Sequence, residues 1–285
     1  MSTIVDALER QRSSARPAFR MPTLPVDPLG VIGLLIMIGA WWGVTALGWA
    51  SPMFLPPPGS VIGAIRENFF SSPYLENYHL GEGGLYVNLV YTFTNVVLAI
   101  IISFVVGVGL GLASARVALF RAVVDPVMLT AGTIPILVTA PFFLIWFGTS
   151  RAAQTALLVV YGVTILYVFA QRASDNLDPT YAAAGRMLGA SPRRMLFDIL
   201  LMGTLPEVLG GVRIALAGAW GLETFSELLG APAGVGRVIQ AMATSMDTQM
   251  MVATILTLAV VALVSDVLIV VLFGYLTRWK RRTPL

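Results

Sequence analysis

The 285-residue sequence contains no cysteine and a single histidine, and charged residues make up only 12% of it. The first absence excludes disulfides, thiolate metal sites and cysteine nucleophiles. The second leaves His79, in a loop between apolar runs, as a solvated side chain rather than a ligand, because no second imidazole exists to complete a site. No Gly-x-x-x-x-Gly-Lys loop is present to cradle phosphates. Gly109-x-Gly111 follows no strand and lies in an apolar run, so no nucleotide site is read into this chain. A Ser-His-Asp set and a metal-ligand cluster are also missing, which removes the common hydrolytic chemistries. Basic residues are not interleaved with aromatics for base stacking, so the net charge of +3 implies no nucleic-acid partner.

What the chain has in quantity is hydrocarbon. Hydrophobic residues reach 57% and the mean hydropathy is +0.82, whereas a soluble domain carries about 25% charged residues. Nearly uncharged runs occur at about 29–50, 87–113, 126–147, 152–170, 206–230 and 249–276, each near or above the ~20 residues that cross a bilayer as a helix. An all-α integral membrane protein of about six spans is expected, with a membrane domain at 29–277 between tails at 1–28 and 278–285. The first span should stay attached, since the arginines and prolines before it do not make a signal peptide.

Basic residues set the orientation. Arg10, Arg12, Arg16, Arg20, Arg116, Arg121, Arg172, Arg186, Arg193, Arg194, Arg278, Lys280, Arg281 and Arg282 fall on one side of a six-span arrangement, 14 of the 18 basic residues. Arg66, Arg151 and Arg237 fall on the other, and Arg213 lies inside the fifth span. The positive-inside bias then expects both termini and the 171–198 loop in the cytoplasm.

That loop is the most structured polar stretch. Asp178-Pro179 reads as N-cap and first helical residue, because the Asp oxygen takes an orphan amide and Pro gives up an amide the helix would not use. Gly189 stops the helix, and Ser191-Pro192 repeats the start signal. The pattern predicts a short helix near 179–188, a kink, and a second helix running into the membrane.

Inside the spans, Gly107, Gly109 and Gly111 and then Gly210, Gly211, Gly218 and Gly221 offer small faces for close helix approach. Pro135 and Pro141 interrupt the third span, which can line a path or simply kink. Glu223 and Glu227, one turn apart near the end of the fifth, are rare at that depth and read as path, gating or helix-pairing groups, or as interfacial carboxylates in solvent. Arg213 and Asp266 are at depths that would allow them to pair.

Ala183-Ala184-Gly185-Arg186-Met187-Leu188-Gly189-Ala190-Ser191 followed by Leu205-Pro206 resembles the coupling motif of ABC importer permeases. So do Ser51 to Pro58, Ile145 to Gly148, Glu207 to Arg213, and Glu227 to Gly230 with Gly234-Val235-Gly236. Together these are similar to the nitrate, sulfonate, taurine and bicarbonate branch over roughly residues 30–280. Two departures stand out: Ala183 replaces the motif's first Glu, and Met202 stands where the Pro of a first Leu-Pro pair is expected.

The resemblance implies a type I permease whose 171–198 segment seats a coupling helix in an ATP-binding subunit, through Tyr181, Ala183, Ala184, Gly185, Arg186, Leu188, Gly189, Ala190, Ser191 and Arg193. It implies no cofactor on this chain, with ATP and Mg bound by the partner ATPase. Further partners are a second permease copy around a central pore and a periplasmic or lipid-anchored binding protein that delivers a small anionic solute. The alternative is an ATP-independent secondary carrier or channel, which would show inverted repeats and mid-membrane ion-binding acids.

Overall fold

A computed structural model of the chain describes residues 28–278, so the expected tails at 1–28 and 278–285 lie almost entirely outside the described residues. The chain divides into two compact units, residues 1–38 and 39–285. Helix α1, Pro28–Ala46, runs across that division, and its residues from Leu29 to Ile38 are exposed along their length.

Within the second unit the elements follow the apolar runs. After α1, the Trp41 indole donates to the Pro56 carbonyl at 3.0 Å and ties down the proline-rich 51–58 turn. Two short helices, α2 (Pro58–Asn68) and α3 (Pro73–Asn77), each begin on proline, where a missing amide costs nothing. Helix α4 (Gly84–Ser103) passes through a π-helical turn at Phe104–Val108 into α5 (Gly109–Arg116). Helices α6 (Ala118–Thr133) and α7 (Ile136–Phe147) follow, then α8 (Arg151–Asp175). The polar loop holds α9 (Pro179–Met187), and α10 (Pro192–Arg194) leads through a second π segment, Met195–Leu201, into α11 (Met202–Leu228). Helices α12 (Val235–Thr244) and α13 (Thr248–Leu276) close the chain.

Among the described residues five elements are long and apolar enough to cross a membrane: Leu29–Ala46, Gly84–Arg116, Arg151–Asp175, Pro192–Leu228 and Thr248–Leu276. The expected third span differs. It is not one helix but the pair α6 and α7, bent by 102° at residues 134 and 135. Pro135 is the cause, because it drives Ile134 into extended backbone with ψ 124° and then serves as the N-cap of α7. Pro141, also read as an interruption, sits inside α7 without dividing it.

Helices α4, α5, α8 and α11 pack around one buried cluster that includes Val96, Leu158, Leu166, Val212 and Leu216. A second cluster joins α2, α12 and the start of α13 through Val61, Val238, Met242 and Met250. In a bilayer such contacts hold by close packing rather than by escape from water, and small residues set how close. At Gly107 an added Cβ would lie 2.8 Å from the Val163 carbonyl, and at Gly111 2.6 Å from that of Tyr167, so the π-helical turn and α5 lie backbone-on-backbone against α8. Gly109, Gly210 and Gly221, expected to act the same way, instead face open space.

Candidate functional site

The loop between α8 and α11 forms as its punctuation predicts. Asp178 Oδ1 accepts from the Thr180 amide at 2.8 Å, and the Thr180 hydroxyl and amide hold the Asp178 carboxyl below its ordinary value. At the other end the Gly189 amide donates to the Arg186 carbonyl at 3.0 Å and the Ala190 amide to that of Gly185 at 2.9 Å. These two bonds make a Schellman closure, which needs a left-handed residue, and Gly189 has φ +69°. Ser191 Oγ then accepts from the Arg194 amide at 3.4 Å to start the next turn.

The faces of α9 are unequal. Gly185 is buried, and a Cβ there would meet the side chains of Ile199 and Met195, so this glycine seats α9 on the π segment of its own chain rather than on a partner. Tyr181, Ala183, Ala184, Arg186, Leu188, Gly189, Ser191 and Arg193 are exposed, and Ala190 is half-buried. Met187 and Leu188 are 88% and 87% exposed, more open than any solvated loop gains from. Met187 escapes a reading based on the alanine face, although its bulk at a helix end was the available signal.

At the opposite end of α11 the carboxylates are not in solvent: Glu223 and Glu227 are both fully buried. Glu223 Oε1 accepts from Asn95 Nδ2 at 2.6 Å, while its Oε2 has no partner among the described residues. Glu227 Oε1 accepts from the Thr92 hydroxyl at 2.7 Å and Oε2 from the Gly236 amide at 2.7 Å. The neighbouring Gly234 amide donates to Asn88 Oδ1 at 2.9 Å and that of Val235 to Thr92 Oγ1 at 3.0 Å. Three successive amides at the positive start of α12 are thus received by α4 and Glu227. The glycines of the Gly234-Val235-Gly236 run permit it, because a Cβ at Gly236 would stand 2.7 Å from that of Glu227.

The same network reaches Arg151, whose Nη2 donates to Thr94 Oγ1 at 2.5 Å and whose guanidinium lies 4.9 Å from the centre of the Tyr91 ring. Pro135 and Pro141 belong to the bent pair, and the groups that hold the carboxylates come from α4 and α12 instead. Arg213 and Asp266 do meet. Nε donates to Oδ1 at 2.9 Å and Nη2 to Oδ2 at 2.7 Å, a bidentate fork between α11 and α13.

Helices long and apolar enough to span a bilayer, held together by buried polar contacts between them, define a multi-span membrane protein. The chain belongs to the family of binding-protein-dependent transport system inner membrane components, which matches residues 105–282. It is 26% identical to the taurine transport system permease protein TauC of Escherichia coli strain K12, over 93% of this chain and 94% of that protein. It is 25% identical to the aliphatic sulfonates transport permease protein SsuC of Bacillus subtilis strain 168, over 88% and 87%. In fold it matches the inward-facing MetNI methionine ABC transporter with a TM-score of 0.57 and 18% identity, covering 73% of this chain and 98% of that one. The chain is therefore an ABC importer permease subunit of type I architecture, non-catalytic, with ATP hydrolysis performed by a separate ATPase.

Proposed function

We propose that this permease imports a small sulfonate-type anion, handed over by a binding protein and driven by an ATPase subunit seated on α9 from the cytoplasmic side. Two copies of the chain frame the path, since one helical bundle of this kind supplies half of a symmetric pore. The observation that carries the reading is the α9 surface: a rigid helix, capped at both ends, with Met187 and Leu188 bare. Such a helix transmits a displacement, which a flexible linker would dissipate. The sulfonate class is favoured by the two relatives above.

The test is reconstitution of permease and ATPase in proteoliposomes with the cognate binding protein and labelled taurine. ATP-dependent uptake is expected. Replacing Leu188 by Glu should abolish copurification of the ATPase while the permease still inserts, because a charge in an apolar groove must be desolvated without a partner. Uptake that persists without ATP, driven by an ion gradient, would favour the secondary carrier.

A further inference from the structure

The Arg213–Asp266 pair is out of place on a lipid-facing surface. Asp266 lies four residues, about 6 Å, from the midpoint of α13, well inside the ~30 Å hydrocarbon layer. Yet the Arg213 side chain is 50% exposed and that of Asp266 36% exposed in the single chain. Charges at this depth face a bundle interior or a water-filled cavity rather than acyl chains. The surroundings of Arg213 fit a cavity: Gly210, Ala217 and Gly221 share its face of α11 and are exposed, and beside both glycines nothing stands within 4 Å of where a Cβ would be.

The fork with Asp266 uses two of the five guanidinium N–H groups, and no further hydrogen bond of Arg213 occurs among the described residues. Three donors remain on a half-exposed side chain, two of them paired along one planar edge. A planar edge of paired N–H groups is suited to the oxygens of a sulfonate or similar oxyanion.

We infer that Arg213 is the anion-contacting residue of the translocation path, held in orientation by Asp266, and that it selects small oxyanions over cations as they pass α11. The inference rests on the proposed import of a sulfonate-type anion. Asp266 here is a positioning residue: it fixes the edge and balances the charge, so the solute is held weakly enough to leave.

The cysteine-free sequence makes the test direct. Ala217, one turn beyond Arg213 on the exposed face, is replaced by Cys in the complex of permease and ATPase reconstituted in nanodiscs. The single permease thiol is reacted with 2-sulfonatoethyl methanethiosulfonate and, separately, with its trimethylammonioethyl analogue, and labelling is read on the permease band alone. In each case the thiolate attacks the thiosulfonate sulfur, a mixed disulfide forms and methanesulfinate leaves.

The ratio of anionic to cationic reagent rates is expected to rise with Asp266→Asn and fall with Arg213→Gln, the two differing by about tenfold with the parent between them. Arg213→Lys should hold the ratio near the parent's and guards against a folding defect in the Gln variant. Labelling by neither reagent, in the resting complex or during ATP turnover, would mean that a second copy or lipid covers this face, and would overturn the inference. So would one ratio shared by all variants. Taurine uptake is scored separately: its absence alongside the expected order of ratios would remove the sulfonate reading and leave the anion-contact role of Arg213 standing.

Discussion

Replacing Glu227 by Gln and by Leu separates the need for an acceptor from the need for a charge. In the native arrangement Glu227 supplies acceptors to the Thr92 hydroxyl and the Gly236 amide. Gln can satisfy both neighbours. Its carbonyl oxygen takes the Gly236 amide, its NH₂ donates to Thr92 Oγ1, and the Thr92 hydroxyl turns to the Asn88 carbonyl, 3.1 Å away. Leu can satisfy neither, but only the Gly236 amide is then stranded, since Thr92 still has Asn88. A buried donor left unpaired costs about 1–3 kcal/mol.

In a chain of this size that corresponds to a drop in melting temperature on the order of 5 °C. Glu227→Gln should stay within about 1 °C of the parent. The assay is the fraction of monodisperse protein after a temperature series in detergent, read by size-exclusion chromatography. Equal losses for Gln and Leu would show that the carboxylate charge, not its acceptor geometry, holds α12 in place. No loss for Leu would refute the claim that the Gly236 amide depends on Glu227.

Gly189→Val forces a branched side chain into φ +69°, at a cost of roughly 1–3 kcal/mol, and should uncouple solute-stimulated ATPase activity while the spans insert normally. For topology, Cys at Thr180 should be labelled only from the cytoplasm and Cys at Ser71 only from outside. The adjacent Ser72 is unsuitable, because it is buried and caps α3 by accepting from the Leu75 amide at 3.1 Å. The Tyr74 hydroxyl is pushed above its ordinary value by burial and by the hydrogen bond to Asp247 at 2.9 Å. Its raised pKa contributes stability that is whole below about pH 10 and is lost as pH rises toward the folded value. Melting curves from pH 9 to 11.5 should therefore fall less steeply for Tyr74→Phe.

The parts of this fold legible in the sequence are those set within one or two turns of the chain. Asp178-Pro179, Gly189 and Ser191-Pro192 each act through their own backbone, and each stands where the pattern put it. Two prolines in the third run were equally visible, but only Pro135 breaks it. Pro141 falls near the start of α7, opposite the Leu137 carbonyl, where the first turn has room to adjust. Helix α12 went unread although its ten residues are strongly amphipathic, because it is too short to cross a membrane and lies between two long apolar runs that dominate the pattern. The environment of Glu227 was illegible for a different reason. Thr92 is 135 positions away, and no local rule links residues so distant.

The π segment at Met195–Leu201 left no signal either, yet it decides how the two ends of the molecule are connected. Its extra residue per turn brings Met195 and Ile199 onto the face that receives Gly185, so α9 sits directly on the base of the element that becomes α11. From Pro192 to Leu228 that element is helical throughout, and it carries Arg213 near its middle and Glu223 and Glu227 at its far end. A larger residue at 185 first meets the far ends of the flexible Met195 and Ile199 side chains, so a methyl is accommodated by their rotation while a branched or longer side chain presses on α9 and the base of α11. Because Glu227 is fixed to α4 and α12 at the other end, any tilt of the element that results pivots about the carboxylates and is largest at its base.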